Sequence, residues 1–127
     1  MTSHAEAERL TQSILSRQPH NKETRLEISG GLNRPPMERT PGTAALYAIA
    51  QRIGAGLGIA LAESGSGGGS DGNFTSAIGV PTLDGLGVIG AGAHGHDEHV
   101  LLSGMASRAA LLAGIIEAVS AGEAGIT

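Results

Sequence analysis

Three stretches carry residues whose types and spacing could do chemistry. They are the glycine run SGSGGGSDGN at 64–73, the histidine knot GAGAHGHDEH at 90–99, and Arg34 in NRPP. Three adjacent glycines are costly to order, because glycine loses the most backbone freedom on folding. Such a run is either a flexible linker or a place where backbone must come close to something. Ser70-Asp71 directly after it reads as a helix start. A glycine concavity feeding a helix can present N–H groups to a carboxylate or phosphate. A nucleotide loop would continue with Lys-Ser/Thr, and here Ser-Asp follows, which favours carboxylate over phosphate. Spacing alone leaves linker and anion loop both open.

The knot holds His94, His96 and His99 with Asp97 and Glu98 between them. Imidazoles and carboxylates are ligands for zinc or manganese. Most histidine-containing loops are only polar surface. His94 differs, because the small residues of GAGAH give it a tight approach after an apolar segment. His96 and His99 lack that framing and read as pH-sensitive surface residues. One histidine cannot hold a catalytic metal, since zinc sites use three or more protein ligands. Asp71 and Asp84 are the other donors considered, but Asp71 reads as a helix cap and Asp84 as support for a strand end. Arg34 is followed by two prolines that stiffen its segment. A guanidinium there could clamp a carboxylate in bidentate fashion, with only Glu38 placed locally to neutralise it.

The elements that must position these groups follow from periodicity. HAEAERLTQSILSR (4–17) predicts a helix with a thin apolar stripe of Ala7, Leu10 and Ile14. TRLEIS (24–29) alternates and predicts a half-buried strand. Thr40 as N-cap and Pro41 at the first helical position open a helix over 43–58, carrying Leu46, Ile49, Ile53 and Leu57. IALAE (59–63) and VPTLDGLG (80–87) predict short strands, with a short helix after Ser70-Asp71 between them. A last helix starts near Ser103 or Gly104, with Leu112, Ile115, Ile116 and Val119 on its apolar face and a frayed tail beyond. Two strands after the Pro-Pro connector are too few for a stable sheet. The chain therefore reads as incomplete as a domain, or as needing a partner.

Composition narrows the classes. The chain has 127 residues, 40% hydrophobic but only 2% aromatic, so any core is built from Leu, Ile, Val and Ala. Cysteine is absent, which removes disulfides and thiolate metal sites. A net charge of −4 without a basic stripe argues against nucleic acid. The N-terminus lacks a signal-peptide pattern and no apolar run approaches a bilayer span, so no membrane partner is expected and cytoplasmic is the default.

Taken together, GGLNRPPMERTPGTAALYAIAQRIGAGLG, GGGSDGNFTSAIGVPTLDGLG and GAGAHGHDEHV resemble the C-terminal part of the two-zinc aminoacylase/carboxypeptidase family, most of all its glutamate-carboxypeptidase-like branch. The resemblance runs from about residue 5 to residue 118, with the three motifs in the family's order. It implies an α/β fold: part of a zinc-peptidase catalytic domain, together with the last helix and strand of an inserted α+β lid that often dimerises. Residues 1–33 would end the lid and 34–127 would return into the catalytic domain. His94 would be a metal ligand, Arg34 the substrate-carboxylate arginine, and Gly68, Gly69 and Ser70 the pocket contacts. The implied cofactor is zinc, two ions in the intact enzyme, with manganese or cobalt as alternatives. The implied substrate is a small peptide or N-acyl amino acid, cleaved at an amide bond beside a carboxylate-bearing amino acid.

The family's His-x-Asp and Glu-Glu motifs, which supply the other ligands and the general base, have no counterpart in this sequence. The chain is therefore expected to be inactive alone and to need the missing N-terminal half, so no residue of its own is assigned as catalytic. The alternatives are a non-catalytic dimerisation or binding module acting through the lid elements, and a small histidine-rich metal carrier.

Overall fold

A computed structural model describes residues 3–123 and 125. The chain divides into two compact units, one of residues 1–38 with 66–80, the other of residues 39–65 with 81–127.

The first unit opens with α1, His4–Leu15. Ser3 caps it: its Oγ accepts from the Glu6 N–H at 3.2 Å, so one orphan donor of the first turn is satisfied. The His4 N–H donates to Glu38 Oε1 at 2.7 Å, fixing the helix start to the end of the proline segment. Ala7 is fully buried. The chain then turns at Asn21, whose Oδ1 accepts from the Glu23 N–H at 3.0 Å. Residues 25–30 follow without regular structure, and the strand expected over 24–29 is not formed. Leu26 is half exposed. Alternation alone does not make a strand, because a ladder needs a neighbour to bond. The unit closes with α3, Gly72–Ala77.

The second unit is built on α2, Pro41–Gly56, and α4, Leu102–Ser120. Thr40 caps α2 as its type predicts, its Oγ1 accepting from the Thr43 N–H at 3.1 Å with Pro41 behind it. The core lies where α2 meets α4. Ala50, Leu111 and Ile115 are buried there, flanked by Ile53, Ile59, Leu61, Leu83, Leu86 and Val119. The helices approach closely because Gly114 faces Ile53. A methyl group on Gly114 would stand 2.9 Å from Ile53 Cγ2. With no large aromatic in the core, close approach of small residues replaces bulk as the source of packing contacts.

Three helices end alike. At Gly58, Gly79 and Gly122 the backbone turns left-handed, with φ of 71°, 85° and 82°. The next N–H reaches back to the helix: Ile59 to the Gly54 carbonyl, Val80 to Thr75, Glu123 to Ala118. Paired with the bond each glycine N–H makes to the carbonyl three residues back, this is the Schellman closure that satisfies the last carbonyls.

Two further expectations change. Segments 59–63 and 80–87 are irregular rather than strands. Tyr47 Oη donates to the Leu61 carbonyl, and Arg108 donates to the Gly85 and Gly87 carbonyls at 2.6 and 2.7 Å. Side chains thus take carbonyls that a ladder would have used. The only strands among the described residues are β1, Gly90–Ala91, and β2, His99–Val100. They are antiparallel, with Gly90 opposite Val100 and Ala91 opposite His99. The buried face of α4 is Gly104, Leu111, Ile115 and Ala118, while Leu112 and Ile116 are exposed. This helix is apolar on every face, so periodicity could not choose the inner one. It is also 19 residues long with mean hydropathy 1.4, long and apolar enough by length and composition to cross a bilayer, contrary to the sequence reading. Arg108 and Glu117 interrupt it, and one face packs on α2, but only 17% of the apolar window is buried.

Candidate functional site

In the first unit the glycine run meets Arg34. The loop is shaped by its own serines. Ser66 Oγ accepts from the Gly68 N–H at 3.1 Å, and Ser70 Oγ accepts from the Gly72 N–H at 3.2 Å. The Ser70 N–H donates to Asn73 Oδ1 at 2.9 Å. The other end of that amide, Asn73 Nδ2, donates to the Pro35 carbonyl at 2.7 Å. One side chain therefore ties the glycine loop to the segment that carries Arg34, 38 residues away in sequence. Pro36 beside it is buried, which anchors the stiff segment.

Arg34 lies directly against the loop. A methyl group on Gly69 would stand 2.9 Å from Arg34 Cδ and 3.4 Å from Nη1, so the arginine rests where a β-carbon would be. Arg34 Nη2 is 3.3 Å from Asp71 Oδ1, and its guanidinium lies over the Phe74 ring, 5.0 Å from the centroid. The local counter-charge is Asp71 and not Glu38, whose carboxylate accepts from His4. Asp71 stands at the position before α3 but makes no side-chain cap bond, because its carboxylate is turned to Arg34. Its side chain is 95% exposed, against 36% for Arg34. The ion pair is thus readily exchanged with solvent on the aspartate side and held by packing on the arginine side.

Gly69 lies against Arg34, and Gly68 and Ser70 belong to the same loop. The Ser70 N–H and Oγ are both engaged, with Asn73 and Gly72, and α3 is only six residues long. The Arg34 guanidinium supplies the positive charge beside this loop. Asn73 and Phe74 escape the sequence reading. A serine followed three residues later by an amide at a helix start is the signal that could have marked Asn73.

In the second unit the knot forms a hairpin tip between β1 and β2. The Gly95 N–H donates to the Gly92 carbonyl at 2.8 Å, closing a turn in which His94 holds the third position with φ 66°. His94 is the only non-glycine residue in that region among the described residues. Its N–H donates to Glu98 Oε2 at 3.2 Å. The glycines around it are sterically required. A methyl group on Gly92 would meet the Asp97 carbonyl oxygen at 2.9 Å, and one on Gly95 would meet Asp97 Oδ1 at 2.8 Å. His99 Nδ1 lies 2.8 Å from the Asp97 carbonyl oxygen, which holds its ring to the hairpin. A left-handed non-glycine residue costs free energy and points to a functional constraint.

No three His, Asp or Glu side chains converge as a metal set among the described residues. His94 is exposed on the hairpin with His96, Asp97, Glu98 and His99, and these form no such set. The described residues do not make a metal site by themselves.

The family model for Peptidase family M20/M25/M40 matches residues 6–118, and the chain belongs to that family of metallopeptidases, whose members are in general metal-dependent hydrolases. A search of curated proteins and a search of solved structures each returned no match.

Proposed function

We propose that this chain is the C-terminal part of a hydrolase of the glutamate-carboxypeptidase-like branch. The enzyme would cleave an amide bond beside a carboxylate-bearing amino acid. The observation that carries this reading is the seat of Arg34: a guanidinium set against a glycine loop, stacked on a ring, and already bonded to a carboxylate. Its role is to fix a substrate carboxylate in bidentate fashion and so orient the scissile bond. His94 serves as one zinc ligand, the others coming from the part of the enzyme that carries His-x-Asp and Glu-Glu. Two results test this. Zinc-loaded chain alone should not hydrolyse N-acetylglutamate, and a rate proportional to chain concentration would overturn the need for the other part. Glutarate should bind the wild-type chain and not Arg34→Ala, and equal binding would remove Arg34 from the site.

A second reading, a homodimer through the first unit, is favoured by a cleft of about 200 Å³ lined by Thr11, Ile14, Leu15, Ile28, Ser29, Gly30 and Gly31. Ile14 and Leu15 are exposed there, beside a segment outside any ladder. Light scattering after size exclusion decides it. A metal-independent dimer abolished by Ile14→Asp supports the reading, and a monomer ends it.

A further inference from the structure

Arg34 touches Gly69, Asp71 and Phe74, and the segment that carries it is tied to the loop through its neighbour Pro35. The proline ring system fixes the backbone path, but prolines cannot donate, so Pro35 offers only its carbonyl. That carbonyl accepts from Asn73 Nδ2 at 2.7 Å, while Asn73 Oδ1 accepts from the Ser70 N–H at 2.9 Å. The amide is used at both ends, one bond going to the glycine loop and the other to the segment that carries Arg34. The half-buried Asn73 lies in the first turn of α3, between Asp71 and Phe74, both of which touch the guanidinium.

We propose that Asn73 is a positioning residue that holds Arg34 in the place where an incoming carboxylate takes over the seat of Asp71. This rests on the reading of Arg34 as a carboxylate clamp. Loss of the Pro35 tie lets the connector lift from the loop, and the guanidinium then leaves the Phe74 face. A bidentate clamp tolerates displacements of only about 0.5 Å, so the effect on ligand affinity is large for a residue that does not touch the ligand.

The experiment is nuclear magnetic resonance on the 127-residue chain, following the Arg34 Nε–Hε signal, with glutarate as the probe. In the wild type the Phe74 ring shifts this signal, and Phe74→Leu supplies its unshifted position. Asn73→Ala removes both bonds. Asn73→Ser keeps an acceptor for the Ser70 N–H but cannot reach Pro35, and it serves where the alanine variant fails to fold. Both variants are expected to move the Arg34 signal toward its Phe74→Leu position and to weaken glutarate binding about tenfold, with amide dispersion outside 66–80 unchanged. Wild-type signal position and wild-type affinity in the folded variants would overturn the proposal. Arg34→Ala separates the two ideas. If it leaves glutarate affinity unchanged, the clamp reading fails, and the Arg34 signal still judges Asn73 on its own.

Discussion

Substituting Gly69 by alanine tests whether the glycine run exists to let Arg34 approach. The added methyl would stand 2.9 Å from Arg34 Cδ, whereas ordinary contact begins near 3.4 Å, so Cδ must retreat by about half an ångström. The guanidinium lies beyond Cδ and moves at least as far. Its 3.3 Å ion-pair contact with Asp71 is then disturbed. A hydrogen bond to a charged group contributes about 1.5–3 kcal/mol, and weakening one of two in a bidentate clamp removes about 1.4 kcal/mol, a tenfold loss of glutarate affinity. Calorimetric titration measures it. Gly69 is not in the left-handed region and its loop is exposed, so stability should stay within about 0.5 kcal/mol of wild type. Gly67 has no atom within 4 Å of its virtual Cβ, so Gly67→Ala is the control and should bind like wild type. If Gly69→Ala binds glutarate as tightly as Gly67→Ala does, the close approach has no part in recognition and the reasoning is wrong.

Other outcomes follow from single contacts. Leu111→Ala should cost about 2–5 kcal/mol in urea unfolding, since Leu111 is fully buried between α2 and α4, whereas Ile116→Ala, at 57% exposure, should cost less than about 1 kcal/mol. Equal losses would mean the buried face of α4 is misassigned. His94→Gly should be more stable than His94→Ala by about 1 kcal/mol, because only glycine relieves the left-handed turn; the reverse order in thermal melts would remove the strain. The Arg39 guanidinium, bonded to Glu63, holds that carboxyl below its usual range. A lowered carboxyl stabilises the fold above the unfolded-state value and loses that contribution as pH falls through the folded one. Wild type should therefore exceed Glu63→Gln near neutral pH and converge with it in acid; a gap that persists below the carboxylate range would count against the pairing.

What the sequence reveals here is what is decided locally. Thr40-Pro41 announces α2, and Gly58 and Gly79 close their helices, because capping needs only neighbours within a turn. The strands expected over 24–29, 59–63 and 80–87 are not formed, since pairing depends on a partner that alternation cannot name. The inner face of α4 is hidden by a helix of Ala, Gly, Leu and Ile on all sides. At the site, Arg34 and the glycine loop can be picked out by type. Asp71 as the partner of Arg34, and Asn73 as the tie to Pro35, span nearly forty residues and depend on the fold having brought the segments together.

The placing of Phe74 has an optical consequence. It is the sole phenylalanine of a chain with one tyrosine and no tryptophan, and it lies under the guanidinium instead of in the core. Phe74→Trp would place the only indole of the protein on the arginine, the ring that pairs best with a cation. Its emission would answer to whatever displaces Asp71, against a dark background, and the binding loop would become its own fluorimeter.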